Sequence, residues 1–301
     1  MATPIGHDQH SAAGSGILLI MLGLSMAALT GALMKSLTSE LSPMLIGWFR
    51  FTGYFLIMVP FALARVGRQA FRPPRIGIQI VRGLLLAVGT LSFMTGVRHL
   101  DYADAIAILY VYPFLMTLMA PLVLGERVSA IGWVGVFGGF GGVLLVVRPE
   151  FRNFDVSALY VLFTGFLVAV QMLLNRKLGT LSDPAVISMW GALVASLVIM
   201  LTLPFSWQPV TAAQLGILAL MAVTSAISQT LMIMALSRAP ASDLAPFTYS
   251  EIVSAVLIGF VMVGTLPDAL SWAGIGLIAL SGVVVARAQA GRTVLRRQSK
   301  I

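Results

Sequence analysis

The amino-acid sequence predicts an all-α integral membrane protein, with ten transmembrane helices arranged as two inverted five-helix repeats. Composition is the first reason. Of 301 residues 58% are hydrophobic and 10% charged, with a mean hydropathy of +0.96, where a soluble domain carries roughly 25% charged residues. The second reason is a series of ten apolar runs of about 20 residues, each long enough at about 1.5 Å per residue to cross the roughly 30 Å hydrocarbon layer. The third is an internal echo. Arg98 precedes Arg238 by 140 positions, and Tyr110, Gly125, Trp133 and Gly135 precede Tyr249, Gly264, Trp272 and Gly274 by 139. Lys35 and Arg176 are 141 apart, as are Pro43 and Pro184, and Trp48 precedes Trp190 by 142. The chain therefore reads as a duplicated five-span unit. Five is odd, so the second copy must enter the bilayer from the opposite side.

The elements follow in order. Residues 1–15 hold His7, Asp8, His10 and small residues with no basic n-region, and read as a disordered tail, not a signal peptide. The first repeat, 16–147, places spans at 16–37, 43–64, 76–97, 102–124 and 128–147. The second, 154–288, places them at 154–178, 185–205, 212–236, 242–265 and 270–288. Residues 289–301 form a basic cytoplasmic tail that anchors to lipid. Unpaired backbone is not tolerated in lipid, and uniformly apolar runs lack the alternation of barrel strands, so each span is a helix.

Loop Lys and Arg residues set the orientation. Arg65, Arg68, Arg72, Arg75, Arg82, Arg127, Arg176, Lys177, Arg238, Arg287, Arg292, Arg296, Arg297 and Lys300 fall on the side of the N-terminus. Lys35, Arg98, Arg148 and Arg152 fall on the other, and Arg50 is left inside a span. Both termini are thereby cytoplasmic, in a bacterial-type inner membrane. The net charge of +8 is sorted by membrane side and implies no nucleic-acid partner.

Several chemistries are disfavoured. With no cysteine there is no disulfide framework, thiolate metal site or cysteine nucleophile. His7, His10 and His99 lie in the tail and a loop, without HExxH or an Asp-rich motif, which weighs against a metal site and a polytopic enzyme. Gly135, Gly138, Gly139, Gly141 and Gly142 of span 5 lack the Lys-Ser/Thr that follows a phosphate loop. They form small-xxx-small pairs instead, onto which span 10 can dock with Gly274 and Gly282 inside one protomer. A monomer with no cofactor is expected.

Leu124, Gly125, Glu126 and Arg127 closing span 4, Pro113 within it, and the following glycine-rich helix with its Trp-Val-Gly run resemble the drug/metabolite transporter superfamily. The likeness is to its EamA branch, and within that to the YddG-type exporters of aromatic and other amino acids, over nearly the whole chain. The second half departs from the pattern, with Thr265 in place of Glu126 and Ile252, beside Glu251, in place of Pro113. The resemblance implies efflux of a small organic solute through a cavity lined by spans 3, 4, 8 and 9, with spans 5 and 10 outside it.

Within the spans, residues that are costly in lipid mark the candidate site. Glu251 lies about 13 Å into span 9, where an acid costs roughly 2.5–3.5 kcal/mol, and is the expected proton-coupling or substrate-amine group. Phe247, Glu251 and Ser254 share a face at helical spacing. Tyr112 holds the equivalent place in span 4, and Tyr110 matches Tyr249; Pro113 frees the Leu109 carbonyl and lets the span kink. Arg50, about 10 Å from the outer edge, either snorkels or pairs with a carboxylate. Gln171, Asn175 and Gln229 must face a helix or water, as interhelical bonds or as lining. Phe93 and Trp190 form either an aromatic wall or core. Lys35 and Arg176 read as interfacial anchors.

Inverted repeats are the architecture of secondary transporters, which hold substrate near the midplane. The expectation is a carrier, not an enzyme, that exports small amphiphilic metabolites, aromatic and other amino acids foremost, by alternating access. Its partners are the solute, the lipid bilayer and, as the candidate coupling ion, the proton. An exporter of drugs or other metabolites on the same fold is the alternative, and a membrane enzyme or a channel the rivals of another class.

Overall fold

A computed structural model describes residues 8–96, 102–147, 156–263 and 268–298, and all their regular structure is helical. The helices are α1 (Asp8–Leu37), α2 (Pro43–Val66), α3 (Ile76–Gly96), α4 (Tyr102–Leu109), α5 (Tyr112–Leu124), α6 (Ala130–Val147), α7 (Val156–Gly179), α8 (Pro184–Met200), α9 (Ala212–Arg238), α10 (Ala241–Leu244), α11 (Ser250–Val263) and α12 (Ala269–Gln298). Short 3-10 turns occupy Gly67–Phe71, Leu203–Phe205 and Ala245–Tyr249. Seven helices among the described residues are long and apolar enough to cross a membrane. Leu122 and Val261 are 86% and 82% exposed on outward faces, as suits a surface solvated by lipid. The chain is a multi-pass membrane protein.

The other three expected spans, the fourth, seventh and ninth, depart from a single crossing helix for local reasons. Span 4 breaks into α4 and α5 at Tyr110 and Val111, two residues ahead of Pro113, whose ring displaces the preceding turn. The Leu109 carbonyl oxygen packs 3.2 Å from where a Cβ on Gly165 would stand, so α7 approaches the break closely. Span 7 is the 17-residue α8, about 26 Å long, ending in a 3-10 turn with Pro204. Span 9 breaks into α10, a 3-10 turn containing Pro246, and α11. The breaks at Tyr110 and Tyr249 fall at equivalent places in the two sequence copies. Two boundaries also move. α1 begins at Asp8, so residues 8–15, expected as tail, are helical, and α12 carries the last span on to Gln298, through most of the expected basic tail.

Caps start several helices and repeat across the copies. Ser42 precedes Pro43 and its hydroxyl accepts from the Leu45 amide at 3.3 Å, while Asp183 precedes Pro184 and its Oδ1 accepts from the Ala185 amide at 2.8 Å. Thr211 and Gln214 form a capping box on α9. α5 stops at Gly125, whose φ of 67° lies in the left-handed region that glycine enters without penalty.

The main packing pairs are α1 with α9 and α3 with α7, α3 with α8 and α2 with α9, and α1 with α11 and α7 with α4 and α5. α2 packs with α8 and α6 with α12. Swapping the two sequence copies exchanges these pairs or returns each to itself. The α6–α12 seam closes on backbone. A Cβ on Gly142 would stand 2.7 Å from the Gly274 carbonyl oxygen, and one on Gly274 would stand 2.7 Å from that of Gly142. Gly135 and Gly138 receive Val285 and Ser281 of α12, whereas Gly282, expected in this seam, meets the ring of Phe247.

Candidate functional site

Arg50 of α2 turns inward and does not snorkel. Its Nε donates to Ser225 Oγ of α9 at 2.9 Å, and its guanidinium carbon lies 5.1 Å from the Phe51 ring centroid. Glu251 of α11 is the acid whose charge acts on it, across a gap wider than a salt bridge, and Tyr110 neighbours the Glu251 carboxyl. Because span 9 breaks, Glu251 sits in the first turn of α11, where unsatisfied amides and the helix dipole favour a negative group. The Arg50–Ser225 bond therefore joins the two copies of the sequence, and Glu251 of the second copy brings an acid toward Arg50 and Tyr110 of the first. Both charged side chains are half-buried.

Below the pair lies a tyrosine cluster. Tyr110 and Tyr112 have ring centroids 5.9 Å apart, Tyr110 and Tyr249 6.2 Å, and all three are at most 4% exposed. The Tyr249 ring covers Gly139 of α6, where any side chain would collide with it. Aromatic rings at these tilted geometries add about 0.5–1.5 kcal/mol per pair beyond burial.

Other candidates fall elsewhere or act in pairs. Phe247 does not share a face with Glu251, because it lies in the 3-10 turn and its ring sits 3.6 Å from the Cβ position of Gly282 on α12. Ser254, one turn along α11, has its hydroxyl 2.8 Å from that of Ser25 on α1. Gln171 Nε2 donates to Gln229 Oε1 at 3.4 Å, so these amides bond α7 to α9. Trp190 Nε1 donates to the Ala70 carbonyl at 2.8 Å, which fixes the indole to the turn after α2. Phe93 is half-buried on α3. No group of three or more His, Asp or Glu side chains that would hold a metal comes together among the described residues.

Two polar groups escaped the reading of the chain. Arg82, counted there among the cytoplasmic loop charges, is 0% exposed within α3. Its Nε donates to Asn175 Oδ1 of α7 and its Nη1 to the Ile187 carbonyl of α8 at 3.1 Å. Its depth of about 9 Å into the helix was the available signal. The second group is Glu126. Arg176, expected as an anchor, has its Nε 3.1 Å from Glu126 Oε1 and donates from Nη1 to the Leu236 carbonyl at 2.8 Å. Glu126 Oε2 accepts from the backbone amide and hydroxyl of Ser242, each at 3.3 Å. One carboxylate thus ties together the end of α5, the last turns of α7 and α9, and the start of α10.

The profile of the EamA-like transporter family matches residues 14–148 and again 156–287. Similar curated proteins include an S-adenosylmethionine uptake transporter of Rickettsia prowazekii, 22% identical over 84% of this chain and 86% of its own length. A riboflavin transporter of Rhizobium johnstonii is 27% identical over 82% of this chain and 80% of its own. The pseudopaline exporter CntI of Pseudomonas aeruginosa is 27% identical over 92% and 98%. A solved crystal structure superposes with a TM-score of 0.78 over 93% of this chain and 98% of that one, at 17% identity, which is a likeness of fold.

Proposed function

The chain belongs to the EamA-like transporter family, and from that premise we propose that it is a secondary carrier exporting small amphiphilic metabolites, amino acids among them, by alternating access. On this reading the two matched segments are inverted five-helix halves with both termini in the cytoplasm, and the exchange of packing pairs between the copies supports that arrangement. Breaks at equivalent places in spans 4 and 9 suit it as well, since inverted-repeat carriers form their sites where helices are interrupted near the midplane.

The observation that carries the proposal is Arg50 of the first copy bonded to Ser225 of the second, with the charge of Glu251 acting on it from across the halves. A zwitterion's carboxylate replaces Glu251 on Arg50 while its amine replaces Arg50 on Glu251, so the empty pair and the loaded pair are each neutral. Tyr110, Tyr112 and Tyr249 offer ring faces beside it, which favours solutes with an aromatic or other planar part. Export is the direction of the pseudopaline exporter, matched along nearly its full length, whereas the S-adenosylmethionine relative is an uptake transporter, so the direction of this chain is part of the proposal. Glu251 is also the residue placed to exchange a proton when no amine is bound.

Counterflow tests this directly. Purified protein in liposomes is loaded with unlabelled phenylalanine, glutamate, S-adenosylmethionine or riboflavin, one at a time, and uptake of the labelled form is followed. Glu251→Gln is expected to lower counterflow of the accepted solute by about tenfold or more, the effect of leaving one buried charge unpaired. Undiminished counterflow with an unchanged pH profile would remove Glu251 from the mechanism.

A further inference from the structure

Arg82 heads the fully buried side chains by volume. Every partner it has is neutral: Asn175, the Ile187 carbonyl, and Tyr54, which faces it and Ser188 short of a well-formed hydrogen bond. Gln79 precedes it by about one turn on the same face of α3 and is also 0% exposed. Arg82 Nη2, Asn175 Nδ2 and both amide atoms of Gln79 have no hydrogen-bond partner among the described residues. Gly191 of α8 makes the room, since a Cβ there would overlap the guanidinium. The fold thus encloses a fixed cation with donors to spare and, among the described residues, no acid bonded to it.

A carboxylate is the complement of such a cluster. It brings one negative charge and about four lone-pair positions, and it accepts a guanidinium and amide donors in one plane. The cluster lies toward the Glu126 end, since Asn175 precedes the Arg176 that Glu126 holds. It also connects to the central pair, because Tyr54 lies one turn from Arg50 on α2 and interacts with both arginines. We propose that Arg82, Asn175 and Gln79 form a second binding station, which takes the carboxylate of the transported solute on the Glu126 side of the Arg50–Glu251 pair. The station rests on the carrier reading for its place in transport. It is sealed in this conformation and is reached when the two halves part at the Glu126 end.

The probe is acetate. Full-length protein in detergent is titrated with sodium acetate, with ionic strength held by sodium chloride and with acetamide as the neutral control, and the unfolding temperature is read. Acetate is expected to raise it in the wild type and in Arg50→Gln, with acetamide silent. In Arg82→Gln the acetate response is expected to disappear. Where Arg82→Gln does not fold, Arg82→Lys keeps the charge without the fork and is expected to need about tenfold more acetate. A response that survives unchanged in the Arg82 variants, one lost only in Arg50→Gln, or no response in the wild type overturns the station. Counterflow separates the two readings: an acetate response without counterflow of any solute refutes the carrier and leaves the station, and counterflow without the response refutes the station alone.

Discussion

Arg50 and Arg82 are the same side chain placed in two surroundings, one turn of α2 and a tyrosine apart. Arg50 has an acid facing it, one hydroxyl partner, and partial exposure. Gly47, one turn earlier on α2, has only ordinary contacts, with Ile199 and Thr90 methyl carbons 3.6 and 3.7 Å from its Cβ position. Arg82 has no acid, is wholly enclosed, and leaves no space for a side chain at Gly191. Arg50 thus meets a hydroxyl and an opposing charge across the halves, although Gly53, one turn on, is tightly packed, its Cβ position 2.6 Å from Ala222 of α9. Where packing fixes the guanidinium on every side, the charge stays put and a ligand must come to it.

Steric tests break this contrast most sharply. Gly191→Leu is expected to cost about 3 kcal/mol of stability or to abolish folding, because neither Arg82 nor α8 can yield. Gly47→Ala is expected to change stability by less than about 1 kcal/mol. Comparable losses in thermal unfolding at both sites would mean that the two surroundings do not differ. The charge pair is tested next, by a double-mutant cycle of Arg50→Gln and Glu251→Gln on counterflow, with an expected coupling of about 1–2 kcal/mol. Additive losses would mean that the two charges act independently. A third test addresses Trp190, the residue beside Gly191 on α8. Trp190→Phe removes the bond to the Ala70 carbonyl and should lower stability by about 1 kcal/mol while leaving solute preference intact; a shift in preference would restore Trp190 to the aromatic wall.

Much of this was readable from the chain because membrane sequences carry strong local signals. Apolar runs marked the seven helices long enough to cross a membrane, the 139-residue offset paired Tyr110 with Tyr249, and the cost of an acid in lipid drew attention to Glu251, whose role is a proposal. What escaped depends on long-range partners. Arg82 lies close enough to a helix end to pass for a loop charge, and only Asn175 and Ile187, 93 and 105 positions away, decide that it turns inward. Phe247 was placed by assuming a continuous α-helix, and the 3-10 turn around Pro246 rotates it toward α12. Arg176 had a correct neighbourhood but no visible partner, because Glu126 lies 50 residues back in the other copy.

If the chain works by the proposed alternating access, the bond between Glu126 and Arg176 bears on the timing of the cycle. Its side chains are 13% and 22% exposed, so parting them means rehydrating two ions and freeing the Ser242 amide and the Leu236 carbonyl together. In the duplicate, Lys35 stands for Arg176 and Thr265 for Glu126, so the sequence does not repeat this acid. On the carrier reading, opening at this end bears the cost of parting an acid from an arginine, which makes it the candidate for the slow stroke.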